Sequence, residues 1–219
     1  METNNFEINE EKESNSQVRT TKKLDPQLTT TPIEKITLNL SPSLYNIGYL
    51  STSIMNILLL CEIIESRKFL HLERLYEAST SCGRLSDKGI SHLVEDYYEC
   101  LNIKIRTGSI ELILSAVAAT SGIIIPIILH ILNNRTKDKI FSFNIDSQDD
   151  TVINLLDMIQ SGKIGDFDLC FDHMSKHLNS LGYGIEECSN QVYRILKNET
   201  ERMESVLWTV KRIQKWSKR

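Results

Sequence analysis

Three side chains capable of nucleophilic or metal-binding chemistry fall within one short string, CFDHMSKH: Cys170, His173 and His177. On a helix the positions i, i+3 and i+7 share a face, so a thiolate and two imidazoles there could hold a zinc-like ion. No fourth ligand is identifiable. The H-E-x-x-H arrangement of zinc hydrolases is also absent, because Asp172 precedes the first histidine and no glutamate follows it. The alternative is an ordinary amphipathic helix with histidines on its solvated side. Asp149, Asp150, Asp166, Asp168 and Asp172 lie close by. Asp149 and Asp150 suit the start of a helix at Thr151, and Asp166 suits a cap, where free backbone N–H groups favour a carboxylate. No nucleophile elbow, phosphate-binding glycine loop, dinucleotide fingerprint or kinase signature occurs. The expectation is a protein that is not an enzyme, with no catalytic residue, metal or cofactor assigned. A metal-dependent enzyme built on His173 and His177 is the catalytic alternative.

The elements that would carry these residues are mostly helical. Residues 151–160 bring Val152, Leu155, Leu156 and Ile159 to one face, and residues 166–181 do the same with Phe167, Cys170, Phe171, Met174, Leu178 and Leu181 before Gly182. Residues 185–216 form the longest predicted helix. Its seam of Val192, Leu196, Glu199, Met203, Val206, Val210 and Ile213 alternates gaps of four and three and is broken only by Glu199. Such a seam fits packing onto the two preceding helices, or a helical hairpin or dimer. Upstream, residues 33–40, 101–107 and 139–146 alternate apolar and polar types and predict strands. Ser41-Pro42 introduces a helix over residues 44–66 with Leu44, Ile47, Leu50, Ile54, Ile57, Cys61 and Ile64 on one side. Asn46, Ser51, Ser53 and Asn56 make it read as a core helix. Residues 69–79 and 86–100 predict two further helices.

Between the second and third strands, residues 112–132 hold no acidic or basic side chain except His130. That is about the length needed to cross a hydrocarbon core of about 30 Å. Glu111 precedes the run and Arg135, Lys137 and Lys139 follow it, as charged flanks would for a membrane helix. Pro126 is tolerated better in a membrane helix than in a soluble one. The other reading is a buried strand over 110–117, a turn at 120–122 and a short helix with Pro126 in its first turn.

A net charge of -4 offers no basic field, so no nucleic-acid role is expected. The five cysteines are widely spaced without a C-x-x-C pair, which reads as reduced thiols in a cytosolic compartment. Residues 1–31 are polar and aperiodic, predict a disordered tail, and do not resemble a signal peptide. The final KRIQKWSKR sets basic residues beside Trp208 and Trp216, which suits either a helix C-terminus or contact with an anionic membrane.

The layout ITLNLSPSLYNIGYLSTSIMNILLLCEII, a helical spacer, then LNIKIRTGSIELIL and an apolar segment resembles a group of uncharacterised bacterial proteins. In that group a strand, a helix and a second strand ending in a GS-x-E turn lead into a predicted membrane segment. The matching residues are Gly108, Ser109 and Glu111. Ile110 stands where the group usually has leucine or phenylalanine, and the resemblance covers about half the chain. It implies an effector-associated or regulatory role in bacterial conflict or phage-defence systems, and no catalytic residue.

The expected fold is α+β and predominantly helical, with a small two- or three-stranded sheet, a central apolar helix that would cross a membrane, and a C-terminal helical bundle. The expected divisions are a tail at 1–31, an α+β unit at 32–146 containing the apolar segment 110–133, and a helical region at 147–219. The expected function is a non-enzymatic, single-pass membrane-associated interaction or regulatory protein with cytoplasmic soluble regions. A protein partner or self-association would act through the C-terminal helices. The alternative is a soluble, cytoplasmic α+β binding module with 112–132 as its buried core.

Overall fold

Alternation of apolar and polar residues builds a sheet, and its order explains much of the core. The computed structural model describes residues 32–40, 43–80, 101–106, 108–114, 118–143 and 149–217. The expectations for the tail at 1–31, the Ser41-Pro42 pair, the helix at 86–100 and residues 144–146 lie outside these residues. The elements run β1 (Lys35–Leu38), α1 (Leu44–Glu65), a 3-10 turn (Phe69–His71), α2 (Leu72–Thr80), β2 (Leu101–Arg106) and β3 (Ser109–Leu114). They continue with α3 (Ser121–Thr136), β4 (Phe141–Phe143), α4 (Asp150–Gln160), α5 (Phe167–Ser180), a second 3-10 turn (Glu186–Cys188) and α6 (Ser189–Ser217). The protein is α+β and predominantly helical.

The sheet is antiparallel with order β2-β3-β1-β4. Gly108, at φ 79°, closes the β2–β3 hairpin opposite the Arg106–Ser109 pair, in a backbone region that glycine occupies without steric cost. Ile36, Leu38, Ile110, Leu112, Leu114 and Phe141 are buried on the face that meets the helices. Lys35, Lys104 and Arg106 stand on the other face around Glu111, with Lys35 Nζ at 3.2 Å and Arg106 at 3.4 Å from its carboxylate. Period-two patterning thus places an apolar layer inside and an ionic lattice outside.

The uncharged run does not form one helix, which corrects the expectation of a single membrane-crossing segment there. It is divided into β3, a turn and α3, and β3 lies between β2 and β1 inside a four-stranded sheet, where two or three strands were expected. Two polar residues at the division are the physical reason. Thr120 Oγ1 donates to the Cys61 carbonyl at 3.0 Å, and Ser121 Oγ accepts from the Ile33 amide at 3.2 Å. Both residues are fully buried, so they stop the run at a turn held by α1 and by the segment entering β1. The Thr120 amide also donates to Glu65 at 3.2 Å. Pro126 lies inside α3, one turn later than its expected first-turn place, and costs about 3 kcal/mol of helix propensity. Burial of Ile123, Ile124, Ile127, Ile128 and Leu132 offsets this, each full burial being worth roughly 1.5–3 kcal/mol.

Among the described residues, one helix is long and apolar enough to cross a membrane. It is α1, over Ile47–Glu65, with mean hydropathy 1.7, and 67% of that window is buried inside the fold. Arg67, just past α1, donates to the Gly182 carbonyl ahead of α6, while Asn56 meets Glu199 halfway along, so α1 and α6 run antiparallel. The seam positions Val192, Leu196, Glu199, Met203, Val206 and Val210 are all buried within the chain's own interior. Strands, apolar run and C-terminal helices share one continuous core.

Candidate functional site

The cysteine–histidine string of α5 does not gather around a common point. Asp166 caps the helix by accepting from the Asp168 amide at 3.1 Å, and Phe167, Cys170, Met174 and Leu178 then face inward. Cys170 is fully buried, and burial, with the nearby Asp166 charge, pushes its thiol up to about 11 against the pull of Arg135. A neutral, enclosed thiol is a poor ligand. His173 is exposed, whereas His177 turns away to Asp149, Nε2 to Oδ2 at 2.6 Å. No group of three or more His, Cys, Asp or Glu side chains converges on a metal position among the described residues.

Asp149 serves α4 as well. It accepts from the Thr151 amide at 2.9 Å and the Val152 amide at 3.3 Å, so one carboxylate caps α4 and holds the side chain of α5. Burial alone would raise its pKa. The hydrogen bonds from His177, Val152 and Thr151, with the charge of His177, outweigh burial and hold it below the usual carboxylate value. The acidic pair at 149–150 therefore has a structural duty, as its position before Thr151 predicts.

A concavity lies elsewhere, where α3 and α4 both end beside β4. It is a groove of about 760 Å³ lined by His130, Asn133, Asn134, Lys137, Asp138, Lys139, Phe141, Ser142, Phe143 and Gln160. Two consecutive asparagines set its walls. Asn133 donates to the Phe141 carbonyl at 2.9 Å and accepts from the Phe141 amide at 3.0 Å, imitating a strand partner for β4. Asn134 donates to the Ile159 carbonyl near the end of α4. From the opposite side, Asn39 donates to Ser142 Oγ and to the Lys139 carbonyl, both at 3.0 Å.

Inside the groove the His130 ring meets Phe143 edge-on, centroids 5.3 Å apart at 73°, and Gln160 Nε2 lies 3.3 Å from each ring nitrogen. Burial lowers the pKa of His130 below its usual value, so the imidazole is neutral at pH 7 and offers one donor and one acceptor. At the rim Lys137 adopts the left-handed conformation, φ 56°, that ends α3. Its neighbour Asp138 is engaged by Lys211 of α6, which also donates to the Thr136 carbonyl. The ammonium groups of Lys137 and Lys139 are exposed and have no acidic partner among the described residues. Arg135 is different, since it pairs with Glu204 at 2.8 Å.

A smaller hollow of about 230 Å³ between α5 and α6 is lined by Arg135, Asp166, Asp168 and Lys197 among others. Lys197 already bonds Tyr193 at 2.7 Å and lies 3.7 Å from Asp168, so its charges are satisfied internally.

Sequence reasoning singled out Cys170, His173 and His177, yet the groove is formed by His130, Lys137, Lys139, Phe143 and Gln160. The available signal was His130, the one ionisable residue in the apolar run; the basic residues behind it were read as membrane flanks. The fold is that of a predominantly helical α+β protein, with a polar-rimmed groove where α3 and α4 end. Comparison with protein-family models, with curated proteins and with solved structures gave no match.

Proposed function

We propose that this chain is a non-enzymatic binding and regulatory module that keeps residues 112–132 as core. The single observation that carries the reading is the pinned division of the apolar run. Thr120 and Ser121 bury their hydroxyls on partners 59 and 88 positions away, contacts that a span through lipid would forfeit. The groove supplies binding chemistry: it has no thiol, and its carboxylate, Asp138, is already engaged. The regulatory role implied by the resemblance is part of this proposal. A protein partner would meet outward faces of the C-terminal helices, where Leu169 and Trp208 are half exposed, because the seam of α6 is consumed within the fold.

A second reading rests on α1. Its length and mean hydropathy of 1.7 fit a membrane helix that inserts only once the fold has opened. Fractionation of the expressed full chain, with an alkaline carbonate wash of the membrane pellet, separates the two. The binding-module reading expects monodisperse protein in the soluble fraction and loss of the folded state in Ala118→Arg, which forces a charge onto a buried site. Carbonate-resistant pelleting of the unaltered chain, needing detergent for release, would overturn it in favour of insertion.

A further inference from the structure

We propose that the groove between the C-terminal ends of α3 and α4 binds a small organic phosphate, with Lys137 and Lys139 holding the phosphate at the rim and His130, Phe143 and Gln160 receiving a flat organic body. Helix C-termini ordinarily repel anions through their exposed carbonyls. Here Lys211 removes that obstacle, bonding the Thr136 carbonyl and pairing with Asp138, the acidic residue between the two lysines. What is left facing solvent is a pair of unengaged ammonium groups two positions apart, a favourable seat for phosphate oxygens.

The interior differs from the rim. The edge-on His130–Phe143 pair gives an aromatic wall, and the Gln160 amide lies against it with hydrogen-bonding capacity to spare. A volume of about 760 Å³ suits a ligand of mononucleotide size, within the roughly 300–1,000 Å³ range of small-molecule sites. The walls are also preformed, because Asn133, Asn134 and Asn39 tie β4, α4 and the Lys139 carbonyl in place without a ligand. Preformed walls reduce the ordering cost of binding.

This rests on the reading of the chain as a folded binding module, but the two fail separately. Carbonate-resistant pelleting defeats the module; absence of ligand binding by soluble, folded protein defeats only the phosphate site. The test is calorimetric titration of the full chain with adenosine monophosphate, adenosine and inorganic phosphate. Adenosine monophosphate should bind saturably at one site with Kd below about 1 mM and more tightly than either fragment. Lys137→Asn, which suits the left-handed backbone, and Lys139→Gln should each weaken binding about tenfold without moving the melting temperature. Lys163→Gln, an exposed lysine outside the groove, should leave binding unchanged. No saturable binding up to about 10 mM would overturn the proposal, as would equal affinity in the groove variants or equal weakening by Lys163→Gln. Capture by phosphatidic acid vesicles in place of soluble monophosphate would overturn it too.

Discussion

Asn56 Nδ2 donates a 2.8 Å hydrogen bond to Glu199 Oε1 between α1 and α6, joining residues 143 positions apart. Glu199 is the one interruption of the apolar seam, and it is fully buried. Arg202 lies 3.2 Å from the same carboxylate and also donates to the Ser79 carbonyl of α2, so the cluster ties three helices together. Ser53 Oγ sits near the carboxylate without regular hydrogen-bond geometry. Asn56 Oδ1 has no hydrogen-bond partner among the described residues.

Burial raises the pKa of Glu199 above 4.5, against the opposing effects of Arg202, Asn56 and Ser53. A raised folded-state value means that the protonated group stabilises the fold, fully below about pH 4.5, and that this stability is lost as pH rises through the folded value. Glu199→Gln should therefore raise the melting temperature at pH 7 and flatten the dependence of stability on pH above about 4.5. Thermal melts of both proteins across that range check it. A variant less stable than the parent at pH 7 would show that the ionised carboxylate is the stabilising form.

Thr120→Val should cost about 1 kcal/mol by removing the buried hydrogen bond from its hydroxyl to the Cys61 carbonyl. Urea denaturation gives this directly, and the midpoint should fall while the slope is unchanged. A neutral result would mean that the division of the apolar run does not depend on this contact.

Asp149→Ala should lose roughly 1–2 kcal/mol from the α4 cap, and further stability from removing the partner of the partly buried His177 ring. Because the carboxyl is held below 3.8, its contribution is complete above about that pH and disappears as pH falls through the depressed value. Denaturation of parent and variant from pH 7 to pH 2.5 should show their stabilities converging only at the acid end. Stabilities that already converge well above pH 3.8 would overturn the assignment to the Asp149 carboxyl.

Cys61 and Cys170 should resist alkylation in the folded protein. Both are fully enclosed, burial pushes the Cys61 thiol far upward, and that of Cys170 stands at about 11. Peptide mapping after brief iodoacetamide treatment at pH 8 should find both unlabelled, then labelled when the chain is unfolded in urea. Rapid native labelling of Cys170 would reopen a ligand role for the α5 string.

The caps at Asp149 and Asp166, the span of α1, and the three alternating strands were legible because each depends on residues within a turn or a few positions. The same locality misled the reading of Cys170, His173 and His177. Helical spacing puts them near one face, but the boundary between core and solvent passes among them, so one is enclosed, one exposed and one bound to a neighbouring helix.

By itself the amino-acid order determined the fold class and the period of each element, since apolar periodicity and capping chemistry act over short distances; it left open whether the α6 seam packs within the chain, and the structure packs it on α1 and α2. Tertiary structure decided the apolar run. A strand, a buried helix and a membrane span all need uncharged residues, and only Cys61 and Ile33, far away in the chain, give Thr120 and Ser121 the partners that divide it. It also decided the groove, because His130, Phe143 and Gln160 come from three elements, and because the charge at its rim depends on Lys211 reaching across from α6.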